Sequence, residues 1–407
     1  MSSRRVIIVG GGAAGFFAAI TAAEAGADVT LLEKGREFLG KVRVSGGGRC
    51  NVTHACFDAR EFATRFPRGE RELIGPFQKF GARDTVAWFE ARGVKLKTES
   101  DGRMFPVTDS SQTIVDCLVG AAKAAGVKLV TSCVVEKVER SSRPFGLGDE
   151  RARRPFHCTL PNAEATMDCD RLLLATGGCR TAAAGALAAE CGHTLEPPVP
   201  SLFSFHVETP WLCKLAGVSV DPVEVSGERG ALLVTHTGLS GPVILRLSAW
   251  RARELHAVDY RFPVTVNWLP GVDVAAALEA KRREHGAKLV VNTPLLPSRL
   301  WEALVGSTEL RWSKLSRAEQ HRLVRQLTRM ELTVTGKSLN KEEFVTCGGV
   351  RLSEVNFKTM ESRIRPGLFF AGELLDIDGI TGGFNFQAAW TTGWLAGRAM
   401  AGMSTPA

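Results

Sequence analysis

A single tyrosine, Tyr260, occurs in 407 residues, so any mechanism that needs a tyrosine acid has one candidate. No C-x-x-C pair occurs among the ten cysteines, which disfavours zinc ribbons and thioredoxin-type redox pairs. No metal-ligand set is read anywhere in the chain. No apolar run approaches the ~20 residues needed to cross a bilayer. Met1 to Arg5 lead straight into an apolar strand, with no h-region or cleavage site behind them. These absences predict a soluble protein of the reducing cytoplasm, with no membrane partner. Aromatic residues make up only 7% of the chain, and no basic run is interleaved with them. That argues against a nucleic-acid partner.

What is present is an ordinary globular composition, 44% hydrophobic and 23% charged, long enough for two or three domains. The net charge of +8 permits a polyanionic partner but requires none. The densest basic stretch, Arg140 to Arg154, mixes in Asp149 and Glu150 and reads as a solvated loop. Forty-two glycines exceed the roughly 7% of average usage, and they cluster, which predicts close approaches of backbone to a ligand.

The start of the chain is the most legible part. Residues 5–10 (RVIIVG) read as a buried parallel strand, 11–15 as a turn, 16–25 as an alanine-rich helix and 28–33 as a second strand. Together they make one βαβ unit. Residues 34–51 are glycine-rich and read as a loop. Helical periodicity returns at 83–92 and 112–125, and strand-like runs follow at 128–139, 156–160 and 165–168, suggesting a small β-meander. Residues 171–176 repeat the buried-strand pattern and stop at Gly177. Pro197, Pro198 and Pro200 mark a boundary, after which 195–340 reads as a separate lobe. That lobe alternates strands from Leu202 to Val234 and then turns helical at 273–284 and 316–329. A short strand at 368–371 and a small-residue helix at 384–400 close the chain.

Gly10-x-Gly12-x-x-Gly15 is the dinucleotide fingerprint. Its glycines allow a tight turn, a close approach to a pyrophosphate, and packing of helix on strand. Ala13 and Ala14 open the helix whose N-terminus would face the diphosphate. Glu33 ends the second strand, where a carboxylate accepts hydrogen bonds from ribose hydroxyls; Lys34 follows it. The C-terminus returns with Gly372-Glu373 and with Gly382-Gly383-Phe384-Asn385, a second acid and a second helix N-terminus. A cofactor long enough to span the domain suits both ends, and FAD is such a cofactor. A helix N-terminus beside the flavin would favour the negative charge of its reduced form.

These blocks, with SGGGRCNVTH (45–54), LLLATGG (172–178), THTGLSGP (235–242) and FFAGELLDIDGITGGFNFQAAWTTG (369–393), resemble the BaiN/YhiN-like flavoproteins. That family includes aminoacetone oxidases and NAD(P)/FAD-dependent oxidoreductases. The resemblance implies an α/β fold: a three-layer, glutathione-reductase-like FAD-binding Rossmann domain with an inserted mixed β/α domain. The implied boundaries are 1–194 and 341–407 for the FAD domain and 195–340 for the insert. By the same resemblance, Lys41, Ser45, Gly46, Gly47, Gly48 and Arg49 border the flavin. Val135 meets the adenine, Thr176 and Gly177 form a cofactor-side turn, and Asp376 joins the flavin-facing block. His54 stands where the family usually has Asn. No catalytic residue is identified; Arg103, in a hairpin-like segment, and His236, in a motif loop, are the candidates.

The expected function is two-electron transfer at the N5 of non-covalent FAD, on a small organic substrate. An NAD(P)H-linked reductase is the first reading. An oxygen-using amine oxidase of the aminoacetone type and a flavoprotein acting on RNA are the alternatives. A disulfide reductase is disfavoured, because Cys50 has no dithiol partner nearby in sequence. The residues name neither the substrate nor the oligomeric state.

Overall fold

A computed structural model describes residues 3–140, 156–160, 166–179, 182–338 and 345–403; most of the basic stretch 140–154 lies outside them. Strand β1 (Arg5–Val9) is apolar on both faces, as a strand covered from two sides must be. It pairs in parallel with β2 (Asp28–Leu32) on one side and with Arg171–Leu174 on the other. Leu368–Phe370 extends the sheet in parallel beyond Arg171–Leu174, and Lys128–Val130 forms the opposite edge beside β2. Two short antiparallel strands, Glu361–Ser362 and Val355–Asn356, complete a seven-stranded sheet. Segments from both ends of the chain thus lie side by side in one sheet.

Helix α1 (Ala13–Glu24) is buried along most of its length, and it packs against the C-terminal helix Phe384–Ala401. Small residues make that crossing possible. A Cβ on Gly393 would lie 2.5 Å from the Ala14 carbonyl oxygen, and one on Gly397 would lie 2.6 Å from that of Ala18. Phe17 and Trp390 fill the same interface, with ring centroids 5.3 Å apart. Both helices are apolar nearly all round because both are enclosed.

The glycine-rich segment departs from its expected loop. Residues 40–44 are helical, and the chain then kinks through Gly46, Gly47 and Gly48, whose φ values of 57°, 67° and 84° favour glycine. The run expected as one strand over 128–139 is also divided. It breaks after Val130, because the Ser132 and Cys133 N–H groups donate to the carbonyls of Gly35 and Glu33. Pairing resumes at Lys137–Arg140, which forms an antiparallel meander with Phe156–Thr159 and Thr166–Cys169. Val135 therefore sits in an irregular connection, and it is buried.

The chain divides into two units, residues 1–200 with 345–407, and residues 201–344. In the second unit, six strands close into a barrel in the order Ser204–Val207, Gly238–Ser240, Glu228–Thr235, Ser219–Val225, Phe262–Asn267 and Met330–Ser338. Its core includes the fully buried Trp268, Trp301 and Trp312. Two of its helices start on side-chain caps. Asp273 accepts from the Ala276 N–H at 3.0 Å, and Ser316 forms a reciprocal capping box with Glu319. No helix among the described residues is long and apolar enough to cross a membrane.

Candidate functional site

The site lies in the first unit, at the carboxyl ends of the parallel strands, where open α/β sheets receive their ligands. β1 stops at Gly10, whose φ is +115° and where a Cβ would lie 2.2 Å from the Ala175 carbonyl oxygen. Only glycine lets the ends of these two strands approach so closely. A Cβ on Gly15 would lie 1.9 Å from the Gly10 carbonyl oxygen, so helix α1 can start tight against the strand only with glycine there. Gly12 is different. It is the N-cap of α1, extended at φ −89°, and a Cβ there would meet no atom within 4 Å. The space in front of Gly12 is open, and no side chain caps the helix or places an acid in its first turn. Free N–H groups at a positive dipole end facing open space suit a diphosphate.

Glu33 closes this corner. One carboxylate oxygen accepts from the Gly11 N–H and the other from the Gly35 N–H, each at 2.7 Å. The acid thus pins both sides of the glycine turn, and each oxygen keeps a lone pair for a further donor. Lys34 is exposed beside it. The main-chain bonds of Ser132 and Cys133 to Gly35 and Glu33 bring the segment that carries Val135 to the same end of β2.

The C-terminal block reaches the same region. A Cβ on Gly372 would sit 2.9 Å from the Ala14 Cβ, and Lys41 forms an ion pair with Glu373. A Cβ on Gly178 would come 3.6 Å from a Glu373 carboxylate oxygen, which brings the 176–178 turn alongside; Thr176 itself donates to the Ala184 carbonyl. Asp376 is buried, and its N–H donates to the Val350 carbonyl. The C-terminal helix begins after the left-handed Gly383, again with no side-chain cap and no acid in its first turn. Asn51, just past Arg49 in the glycine-rich segment, accepts from the Gly383 N–H at 2.9 Å. Asn385 exchanges two bonds with the backbone of Gly379. Two uncapped helix N-termini therefore belong to one sheet-end region built from residues far apart in sequence.

A charged cluster borders Ser45 to Arg49. Ser45 donates to the Val42 carbonyl, and Gly46 packs on Phe105. The Arg49 guanidinium lies 4.0 Å from the Phe105 ring centroid and 2.6 Å from Glu99 Oε1. Arg103 is held by Asp101 at 2.7 Å and by the same Glu99 at 3.1 Å. Arg103 is thus paired with carboxylates in a hairpin. Glu99, the carboxylate shared by both arginines, escaped the sequence reading because its spacing from Arg49 follows no helix or strand period. His236 is exposed in the turn between two barrel strands of the second unit.

Cys50 is fully buried, and burial pushes its thiol up to about 12, so it holds no thiolate near neutral pH. Among the described residues no cluster of three His, Cys, Asp or Glu side chains could hold a metal.

His54 stacks on Phe384 with ring centroids 4.8 Å apart, and its Nε2 lies 3.1 Å from the Asp101 carbonyl oxygen. Burial lowers its pKa below the ordinary value near 6.5, so the fold favours the neutral imidazole. Below about pH 6.5 the unfolded chain binds a proton that the folded chain resists, so this contribution to stability is lost as pH falls from there through the lowered folded value. The Tm of His54→Asn should therefore fall less than that of the wild type between about pH 7 and pH 5. Identical slopes in a thermal melt series would show that His54 takes no part. His193, buried against Glu354 and Ser362, shifts the same way and keeps its own share in both proteins.

A family model described as "HI0933-like protein Rossmann domain" matches residues 4–399. The chain is 32% identical over 400 residues to a ribosomal RNA dihydrouridine synthase of Escherichia coli strain K12, covering 93% of this chain and 94% of that protein. It is 31% identical over 412 residues to a 3-dehydro-bile acid delta(4,6)-reductase of Clostridium scindens, covering 95% and 96%. A solved 3-ketosteroid-Δ4-(5α)-dehydrogenase of Rhodococcus jostii RHA1 matches with a TM-score of 0.52 at 15% identity, over 98% of each chain. At that identity the likeness is one of fold.

Proposed function

The chain belongs to the HI0933-like Rossmann family of FAD-dependent oxidoreductases, and on that premise we propose that it reduces a carbon–carbon double bond conjugated to a carbonyl, with NAD(P)H as donor. The bond takes up one hydride and one proton while NAD(P)H becomes NAD(P)⁺. The names of both curated relatives describe saturation of a carbon–carbon double bond, in one case in ribosomal RNA and in the other in a 3-dehydro bile acid. A ribosomal uridine and a 3-dehydro bile acid share such a carbonyl-conjugated bond, and that supports the reading.

The observation that carries it is the cradle at Gly10, Gly12 and Gly15, tight where protein meets protein and open where a diphosphate would lie. When bound, the flavin supplies two-electron transfer at N5. The residues of the chain do the holding. The N–H groups at the start of α1 take the diphosphate, Glu33 takes the ribose hydroxyls, and the segment of Val135 covers the adenine. The start of the C-terminal helix, with Gly382 to Asn385, would offer positive potential to a bound flavin, whose reduction develops negative charge. Ser45 to Arg49 and the Lys41–Glu373 pair would border it. Residues 1–194 and 341–407 supply all of these groups in this reading, and 195–340 is an insert.

The test is anaerobic titration of the purified flavoprotein with NADH and NADPH. The visible flavin band should bleach with one of them and return on adding an enone acceptor. A flavin that resists both donors, yet is reduced by aminoacetone and reoxidised by air, would establish the amine-oxidase reading in its place.

A further inference from the structure

The second unit carries a concentration of positive charge around the end of one helix and the start of another. Arg282 and Arg283 lie in the last turn of the helix Val274–His285, and Lys288 follows it. Arg311, Lys314 and Arg317 come from a segment that runs alongside. Leu289 and Arg311 form an antiparallel bridge, and the Ser313 N–H donates to the Gly286 carbonyl at 2.9 Å. The helix Arg317–Thr328 then packs beside the first, with Gln320 donating to Glu279 at 3.2 Å. Residues 282–288 and 311–317 thus hold six cations against one acid, Glu284, whose oxygen lies 3.9 Å from His285.

Five of the six cations are exposed, and among the described residues none forms an ion pair with an acid. Elsewhere the chain pairs such groups, as Arg49, Lys97 and Arg103 show. A helix C-terminus stabilises Arg282 and Arg283. It does nothing for Lys288 or Lys314; Arg311 donates to the Ala287 carbonyl just past that helix end, and Arg317 stands at the wrong end of its helix dipole. Crowded like charges cost stability, so the face calls for an anionic partner.

We propose that this face docks the phosphate backbone of a structured RNA. No large apolar side chain between residues 281 and 329 is exposed, so nothing there would insert into a lipid surface. The cations sit at helix ends and turns, not along one helix that would lie in the major groove of DNA, and such a patch suits the shape and phosphates of folded RNA. Of the two substrate classes named above only RNA is a polyanion; the inference rests on that reading for this choice and deepens it.

The experiment measures binding of a fluorescent RNA stem-loop to the full chain by anisotropy over a series of salt concentrations. Arg283→Glu, Lys288→Glu and Lys314→Glu together should weaken binding about tenfold or more at low salt and flatten the salt slope by roughly one unit for each phosphate no longer neutralised. The corresponding glutamine substitutions, milder for folding, should act in the same direction by a smaller factor. A control with Arg71→Glu and Lys123→Glu, on the first unit, should change neither quantity. Unchanged affinity in the triple variant, equal loss in the control, or equal affinity for duplex DNA or phosphatidylserine vesicles would overturn the proposal. Bleaching of the flavin by NAD(P)H should be the same in the triple variant and the wild type. If bleaching stands and RNA docking fails, the docking face alone falls. If RNA docking behaves as expected and no donor reduces the flavin, the reductase reading falls and the docking face stands.

Discussion

Gly12→Val is expected to leave the protein folded and to empty its cofactor site. Gly12 is extended, with nothing within 4 Å of the position a Cβ would take, so the branch point of a valine there clashes with no protein atom. Surface substitutions of that kind usually change stability by no more than about 0.5 kcal/mol. The same methyl groups would occupy the space proposed for the diphosphate and shield the N–H groups at the start of α1. FAD affinity should fall by at least about two orders of magnitude, roughly 2.7 kcal/mol. Gly15→Ala offers the contrast. Its Cβ would lie 1.9 Å from the Gly10 carbonyl oxygen, a backbone clash no rotamer can relieve, so the apoprotein itself should lose about 1–3 kcal/mol or more. The flavin-to-protein absorbance ratio after gel filtration, beside urea denaturation of the apoproteins, separates the two effects. A folded Gly12→Val protein with full flavin content would remove the diphosphate from this turn.

Glu33→Arg should strip the cofactor nearly as completely, for a different reason. A carboxylate that accepts charge-assisted bonds from ribose hydroxyls contributes about 1.5–3 kcal/mol. Its loss lowers FAD affinity by roughly one to two orders of magnitude. Both Glu33 oxygens also accept backbone N–H groups, from Gly11 and Gly35. Arginine offers no acceptor to either, so the glycine turn loses its brace as well as its ribose ligand. Glu33→Gln has one amide oxygen and can satisfy only one of the two N–H groups. Its –NH₂ then faces the other donor, and the turn loosens even though the side chain keeps its shape. Glu33→Gln should therefore fall between the wild type and Glu33→Arg in flavin retention, with a small loss of apoprotein stability. A folded Glu33→Arg protein that binds FAD as tightly as the wild type would rule out the ribose role.

The elements that were legible in the sequence are those whose signals are local. β1, the glycine turn, α1 and β2 follow each other within about thirty residues, and each obeys its own periodicity and turn chemistry. The stretches 273–284 and 316–329 were readable as helical from their local Arg, Glu and Leu content, and helices form at Val274–His285 and Arg317–Thr328, started by the caps Asp273 and Ser316. The glycines of 46–48 signalled an unusual backbone without revealing that a helix would precede the kink. The run 128–139 has strand-like residues throughout, and only its neighbours explain the break. The carbonyls of Glu33 and Gly35 take the N–H groups of Cys133 and Ser132, so a long-range bond overrides a local preference.

The sequence by itself determined the dinucleotide turn and the acid that ends β2, because these depend on residue types at fixed short spacings. Tertiary structure decided which distant residues meet. It set Glu373 beside Lys41 and Gly372 against Ala14, and it bound Arg49 and Arg103 to one carboxylate at Glu99. It also closed six strands into a barrel and brought residues 286–289 alongside 311–313, joining two stretches that each carry cations. Spacing along a chain reports only what lies within a few residues, whereas strand order and helix crossing are set by the burial of apolar surface shared among all the elements at once.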